Sequence, residues 1–116
     1  MAAYIKREYH NNGKIKWEYF ECDGKKEGTY KEYYKDGKLH SICNYVDGKL
    51  HGEYKYYWRN GKLGDICNYV NGKIEGEVKT YYDRQLRNIN YYINNQLNGE
   101  NKLYNDYYIE DKKIEK

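Results

Sequence analysis

The chain has 116 residues, enough for one small domain, and its 21 lysine and arginine residues nearly balance its 18 acidic residues, for a net charge of +3. Because charges of both signs are scattered along the whole chain, the composition excludes a dedicated nucleic-acid-binding arm, and no apolar stretch is long enough to span a bilayer. The chain has no proline and its glycines recur at regular positions, which argues for a folded repeat protein and against disorder.

A dipeptide of Asn or Asp followed by Gly marks the organisation of the chain. Its copies are Asn12-Gly13, Asp23-Gly24, Asp36-Gly37, Asp47-Gly48, Asn60-Gly61 and Asn71-Gly72, with degenerate copies at Asp83-Arg84 and Asn94-Asn95. The steps between them alternate between about 11 and 13 residues, so the repeating unit contains two strands and two turns. Because these dipeptides supply the two positive φ angles of a type I′ turn, each copy predicts a β-hairpin, Asp47-Gly48 and Asn60-Gly61 among them.

The repeats predict one all-β domain over residues 1–116. Successive turns join neighbouring strands, so the expected fold is an elongated, single-layer antiparallel meander of β-hairpins. The predicted units are repeats 13–36, 37–60, 61–83 and 84–106, followed by a C-terminal cap at 107–116.

The turn in the second repeat fixes which side chains share a face of the sheet. It places Cys43 opposite Gly52 and Ser41 opposite Tyr54. The richer side, which we call the aromatic face, comprises Ile15, Trp17, Tyr19, Gly28, Tyr30, Tyr34, Leu39, Ser41, Cys43, Tyr45, Leu50, Gly52, Tyr54, Tyr56, Trp58, Leu63, Cys67, Tyr69, Ile74, Gly76, Val78 and Tyr82. The other side, the charged face, carries His40, Ile42, Asn44, Val46, Lys49, His51, Glu53, Lys55 and Tyr57, and repeats its lysine at Lys31, Lys79 and Lys102 and its glutamate at Glu77 and Glu100.

Aromatic residues carry much of the binding energy at protein interfaces, because they bury a large area with few rotatable bonds. We therefore predict a partner-binding surface on the aromatic face. Its residues are Tyr30, Tyr34, Tyr54, Tyr56, Trp58 and Tyr82. The alternative is that these rings pack internally over the glycines that recur inside the strands, at Gly28, Gly52, Gly76 and Gly99. Those glycines either leave room for a neighbouring ring or mark a repeated β-bulge.

No residue pattern indicates a metal, cofactor or catalytic site. His40 and His51 follow turns at opposite ends of the strands, too far apart to share an ion. Cys43 and Cys67 occupy the same repeat position two strands apart, about 9–10 Å, which is too far for a disulfide. Three cysteines suit a reducing compartment, and no N-terminal run resembles a signal peptide. We expect free thiols, no cofactor, no enzyme activity and a cytoplasmic location, in the host cytoplasm if the source is viral.

The repeated pattern Asn/Asp-Gly-Lys-Leu/Ile-x-Gly-Glu-Tyr-x-x-Tyr-Tyr resembles the MORN repeat. It is most similar to the second MORN variant, found in bacterial antitoxin-like proteins and in proteins of giant viruses. The best match is 47–61, and the resemblance covers most of residues 11–105. It implies an elongated, twisted sheet of hairpins that acts as a scaffold, often as a dimer, with phospholipid binding proposed for some members.

The expected function is a noncatalytic protein–protein interaction scaffold or adaptor, with an unidentified protein partner and a homodimeric state. One alternative is an antitoxin-like or virus–host factor that masks its partner. The other is a weak binder of anionic lipid or nucleic acid, whose lysine ladder is largely cancelled by the interleaved glutamates.

Overall fold

Twelve β-strands form one antiparallel sheet in the described part of the chain, residues 3–97 and 102–103 of a computed structural model. They are β1 (Ala3–Tyr9), β2 (Ile15–Cys22), β3 (Lys25–Tyr33), β4 (Leu39–Val46), β5 (Lys49–Leu50), β6 (Gly52–Tyr57), β7 (Leu63–Val70), β8 (Lys73–Ile74), β9 (Gly76–Tyr82), β10 (Gln85–Ile93), β11 (Gln96–Leu97) and β12 (Lys102–Leu103). These residues include no helix. The all-β prediction is confirmed. The predicted cap at 107–116, Gly99, Glu100 and the side chain of Lys102 lie outside the description.

The strands follow one another across the sheet in chain order, as the predicted meander requires. The path is β1-β2-β3-β4-β6-β7-β9-β10-β11, while β5 and β8 extend the hairpins of β4 and β7, and β12 pairs with β10. The molecule measures 53 × 34 × 15 Å, so it is one layer thick. Among the described residues only Ser41, Cys43, Gly64 and Ile89 are buried. Both faces of the sheet are therefore open along most of their length.

The two ends of the strands carry two different kinds of turn. At one end the turns have two residues, and both Asp47 (φ 53°) and Gly48 (φ 85°) are left-handed, as a type I′ turn requires. At the other end only the glycine is left-handed. There Gly61 (φ 88°) closes a three-residue loop in which its N–H donates to Trp58 O at 2.9 Å. The type I′ prediction is confirmed for the first dipeptide and wrong for Asn60-Gly61.

The degenerate turns keep the hairpin geometry without glycine. Asp83 and Arg84 have φ angles of 54° and 68°, and Asn94 and Asn95 have φ angles of 55° and 75°. Both are two-residue turns, although the first lies at the end where the preceding repeats use three-residue loops. Residues other than glycine disfavour the left-handed region, so Arg84 and Asn95, which stand where the earlier two-residue turns have glycine, add backbone strain to these turns.

The glycines inside the strands mark bulges and do not make room for rings. Gly28, Gly52 and Gly76 have φ angles of 86°, 94° and 89°, and a Cβ added at any of them would meet nothing within 4 Å. These bulges shift the pairing by two residues.

The shift corrects the predicted register within the second repeat. Tyr45 pairs with Leu50, as expected, but Ser41 pairs with Tyr56. The predicted partners, Tyr54 for Ser41 and Gly52 for Cys43, are therefore wrong. Because two is an even number, the shift leaves each side chain on its predicted face.

A second type of bulge, one residue long, places several side chains on the face opposite to the predicted one. Tyr57 pairs with Leu63 while Tyr56 pairs with Asp65, so Gly64 is the extra residue, and His40 is the extra residue one repeat earlier. Cross-strand partners share a face, so Leu63 and its equivalent Leu39 lie on the charged face. His40 lies among the rings of the aromatic face. The predicted faces of Leu39, His40 and Leu63 are wrong, because a one-residue bulge inverts the alternation of the strand. The predicted face of Ile15 is wrong for the same reason, since Ile15 pairs with Tyr9 while Trp17 pairs with Glu8.

Candidate binding surface

Four of the six predicted binding residues form one chain of rings at the three-residue-loop end of the strands. Starting from Tyr34, the ring of His40 lies at a centroid distance of 4.8 Å, and the ring of Tyr56 follows at 5.2 Å from His40. Trp58 lies 5.4 Å from Tyr56, and Tyr82 lies 6.0 Å from Trp58. Most of these rings meet edge to face, the favoured geometry for aromatic pairs. The sequence analysis placed these four residues together correctly, but it assigned His40 to the charged face.

The polar atoms of this ring chain join each repeat to the next. Tyr34 Oη donates to the backbone oxygen of Tyr57 at 2.7 Å, and Trp58 Nε1 donates to the backbone oxygen of Tyr81 at 2.9 Å. His10 occupies the same repeat position, and its Nε2 lies 2.9 Å from Tyr33 O. Burial is the main cause that raises the pKa of Tyr34 to about 12. These residues hold the repeats together in addition to forming part of the open surface.

The other two predicted residues lie in the middle of the strands, in separate groups. Tyr30 belongs to a group that runs from Trp17 to Tyr19 (5.3 Å), from Tyr19 to Tyr30 (5.7 Å) and from Tyr30 to Tyr45 (6.0 Å). Lys26 Nζ lies 5.0 Å from the ring centroids of Tyr19, Tyr30 and Tyr45, a cation–π arrangement.

The ring of Tyr54 lies beside the ring of Tyr69 in the neighbouring strand, at a centroid distance of 6.0 Å. The predicted set is thus three groups along one face.

Cations missed by the sequence analysis lie over several of these rings. Arg59 Cζ is 5.2 Å from the ring centroid of Tyr34, and Arg87 Cζ is 5.9 Å from that of Tyr82. Lys26 stands where the next two repeats have Leu50 and Ile74, so its contact with the rings could have been found from that exchange alone. The aromatic face consequently holds charges of both signs among its rings, because Glu32 and Asp65, the cross-strand partners of Ser41 and Tyr56, lie on it as well.

The cysteines are free thiols in different surroundings. Cys43 is buried, whereas Cys22 and Cys67 are partly exposed. Burial raises the pKa of Cys43 and of Cys67 to about 11, and it also raises that of Cys22. At neutral pH all three are protonated and weakly nucleophilic, as expected for space-filling thiols.

The charged face alternates lysine and isoleucine across the strands. Lys55 pairs with Ile66, and Ile66 pairs in turn with Lys79. The lysines carry their own counter-charges, since Lys55 Nζ is 3.4 Å from Glu53 Oε1 and Lys79 makes the same contact with Glu77. This part of the surface is close to neutral.

Within the described residues there is no group of three or more His, Cys, Asp or Glu side chains that could hold a metal ion. No helix among the same residues is long and apolar enough to cross a membrane.

Comparison with known proteins supports the resemblance. The family model of the MORN repeat variant matches residues 26–47 and 50–71, two consecutive stretches that carry the strands from β3 to β7. No curated protein and no solved structure matches the chain. These two stretches therefore match the MORN repeat variant, as the sequence pattern predicted, while the bacterial and giant-virus settings stay predictions.

Proposed function

We propose that this chain is a noncatalytic scaffold or adaptor that binds a protein partner through its aromatic face. MORN repeats occur in protein-interaction and membrane-binding proteins and are generally noncatalytic. The observation that carries the proposal is the aromatic face itself, on which rings from six strands lie on one side of a single-layer sheet.

The middle of the aromatic face is the part best suited to contact a partner. Tyr54 and Tyr69 lie partly exposed beside Tyr30 and Tyr45, and neither belongs to the ring chain whose polar atoms bind the next repeat. Tyrosine suits such a surface because its ring buries area while its hydroxyl still reaches water or a partner. Tyr82, with 61% of its surface exposed, extends the contact area towards the loop end.

A second copy of the chain is one partner that this face can accommodate. A face of 53 × 34 Å is larger than the roughly 800 Å² per partner buried in a standard protein interface. A single layer also leaves its apolar face without cover, which packing of two faces would supply. We therefore propose a homodimer packed through the aromatic faces. The setting we propose for the adaptor is the cytoplasm.

Affinity capture with tagged full-length protein, at low and at high salt, tests the scaffold function. We expect the same partner at both salt concentrations, loss of that partner with Tyr54→Ala, and retention with Lys55→Ala on the opposite face. Tyr54 is chosen because it lies outside the ring chain that joins repeats. Capture that disappears at high salt and with Lys55→Ala would contradict the proposal and favour an anionic-lipid or nucleic-acid ligand. A captured partner whose own activity is blocked would make the scaffold an antitoxin-like masking factor.

A further inference from the structure

We infer that the charged face contains a binding site, at its N-terminal end, for a partner segment that carries a bulky apolar side chain next to a carboxylate. This site lies on the opposite side of the sheet from the proposed scaffold surface, so the two proposals stand or fall separately. It is an open hollow of about 440 Å³ between β1, β2, β3 and β4.

The pairing of the strands brings the walls of the hollow together. Ile5 pairs with Phe20, and both are about half exposed, at 50% and 48%. Lys31 pairs with Ile42, so a lysine stands beside a third apolar side chain. Apolar residues of this size are usually covered in a folded protein, and here three of them share one hollow with a cation.

The lining of the hollow is distinctive because the first repeat departs from the pattern of the later ones. Phe20 stands where the next two repeats have Asn44 and Asn68. The position of Thr29 is occupied by glutamate in those repeats, at Glu53 and Glu77. The first repeat thus exchanges a polar amide for a phenyl ring and loses a carboxylate on the same face.

The loss of that carboxylate leaves Lys31 to share a counter-charge, because its cross-strand partner Glu18 is bound by Arg7 at 3.0 Å. Lys55 and Lys79 each contact the glutamate two residues earlier, at 3.4 Å. Lys31 has threonine at that position, and it makes no ion pair within the described part of the chain. Arg7 and Glu18 also line the hollow, and they neutralise each other through a 3.0 Å contact. Two cations and one carboxylate leave one net positive charge.

A second hollow on the same face provides the comparison. Its volume is about 280 Å³, and its charged lining residues are Glu53, Glu77 and Lys79. Each glutamate is paired, Glu53 with Lys55 and Glu77 with Lys79, so this hollow and its rim are close to neutral. The same repeat position therefore carries a net positive charge in the first repeat and is close to neutral in the third, and only the first has a phenyl ring. A ligand that needs both features binds the first hollow in preference to the second.

The chemistry of the occupant follows from the lining. An apolar side chain can pack against Ile5, Phe20 and Ile42, and a neighbouring carboxylate can pair with Lys31. The volume falls within the range of small ligand sites, which accommodates one or two side chains of an extended segment. A polyanion such as nucleic acid fits less well, because Glu18 lies in the hollow and the lysines beyond it are neutralised by glutamate.

Titration of the isotope-labelled full-length protein with a peptide tests this site. The probe is the blocked heptapeptide Gly-Ser-Leu-Phe-Glu-Ser-Gly, and its copy with Gln in place of Glu is the matched neutral ligand. We expect saturable amide shifts at Phe20 and Lys31 with the acidic peptide, and affinity about fivefold weaker for the neutral copy, the effect of one exposed ion pair.

Two substitutions taken from the protein's own repeats complete the test. Thr29→Glu restores the glutamate of the later repeats and should weaken the acidic peptide about fivefold. Phe20→Asn should weaken both peptides about tenfold through the lost apolar area. Lys79→Ala, in the second hollow, should change neither. Equal affinity for the acidic and neutral peptides, or no saturable shift, would overturn the proposal. The proposal would also be overturned if the acidic peptide gives no saturable shift while phosphatidylserine vesicles bind and Thr29→Glu abolishes their binding.

Discussion

The two faces of the sheet use the same strands but hold them together in different ways. On the aromatic face, Tyr34 and Trp58 donate hydrogen bonds to backbone oxygens in the next repeat. On the charged face, Lys55 and Lys79 pair with glutamates of their own strand. Exposed ion pairs contribute about 0–1 kcal/mol to stability. Losing the donor of a part-buried hydrogen bond costs more, because the acceptor is left without a partner. Both faces therefore couple neighbouring repeats. The aromatic face does so through part-buried rings, and the charged face through exposed contacts at the two-residue turns, where Glu27 Oε1 accepts from Asp47 N at 2.8 Å and His51 Nδ1 accepts from Asn71 N at 3.3 Å.

The largest expected effect comes from filling the space beneath the aromatic rings. A Cβ added at Gly64 would lie 2.9 Å from Tyr56 Cδ2 and 3.1 Å from Trp58 Nε1, so Gly64→Ala must displace the ring chain. We expect the free energy of unfolding to fall by about 1–3 kcal/mol, the usual range for overpacking. Urea unfolding measures it, with Asn68→Ala on the charged face of the same strand as the control. Equal losses for both variants would show that the two faces do not differ.

The second prediction concerns association through the aromatic face. Trp58→Ala should weaken the homodimer by about 2 kcal/mol, in the range of an interface anchor, while neighbouring repeats keep the fold. Sedimentation equilibrium measures the dimer constant, and circular dichroism checks the fold.

Two variants separate the contribution of Trp58 to stability from its contribution to association. Trp58→Phe keeps a ring but removes the donor to Tyr81 O, and it should lower stability by about 1 kcal/mol with a smaller effect on association. Lys55→Ala should leave both unchanged. If Lys55→Ala abolishes association while Trp58→Ala does not, the working face is the charged one.

The third prediction tests the turns at the loop end. Gly61→Val places a β-branched residue at φ 88° and should destabilise by about 1–2 kcal/mol. Thermal unfolding measures the change, and identical melting temperatures for the variant and the wild type would refute the turn assignment.

The smallest effect has the opposite sign. Arg84 holds a left-handed φ of 68° without being glycine, so Arg84→Gly should relieve strain and raise stability by about 0.5–1 kcal/mol. The same thermal measurement applies, with Arg59→Gly, at a position that has no positive φ, as the control. A gain from the control and none from Arg84→Gly would contradict the strain argument.

The sequence predicted the fold because the turn dipeptides and the two-residue alternation both leave a direct trace in the chain. It did not predict the bulges. The alternation at Gly52 looked regular because a shift of two residues keeps every side chain on its face. His40 was misplaced because a one-residue bulge inverts the alternation without changing composition. Bulges depend on the twist and pairing of the whole sheet, and a local sequence pattern contains no information about either.

The turn types show where a readable signal was overlooked. Asn60-Gly61 and Asn71-Gly72 are the same dipeptide, yet the structure places them in loops of three and two residues. The identity of the two residues does not distinguish these cases, whereas the spacing of 13 against 11 residues does. For the candidate surface, the repeat pattern was enough to identify the rings. Only the structure distinguishes Trp58, which donates a hydrogen bond to the next repeat, from Tyr54, which contacts Tyr69 through its ring.

Hydroxyl-radical footprinting of the tyrosines tests the central claim most directly, because both faces carry them. The measurement compares the dilute protein with the assembly captured from its native cell. We predict protection of Tyr30, Tyr54 and Tyr69 on the aromatic face and unchanged oxidation of Tyr57 and Tyr81 on the charged face. Protection of Tyr57 and Tyr81 with the aromatic-face tyrosines still oxidised would contradict the account.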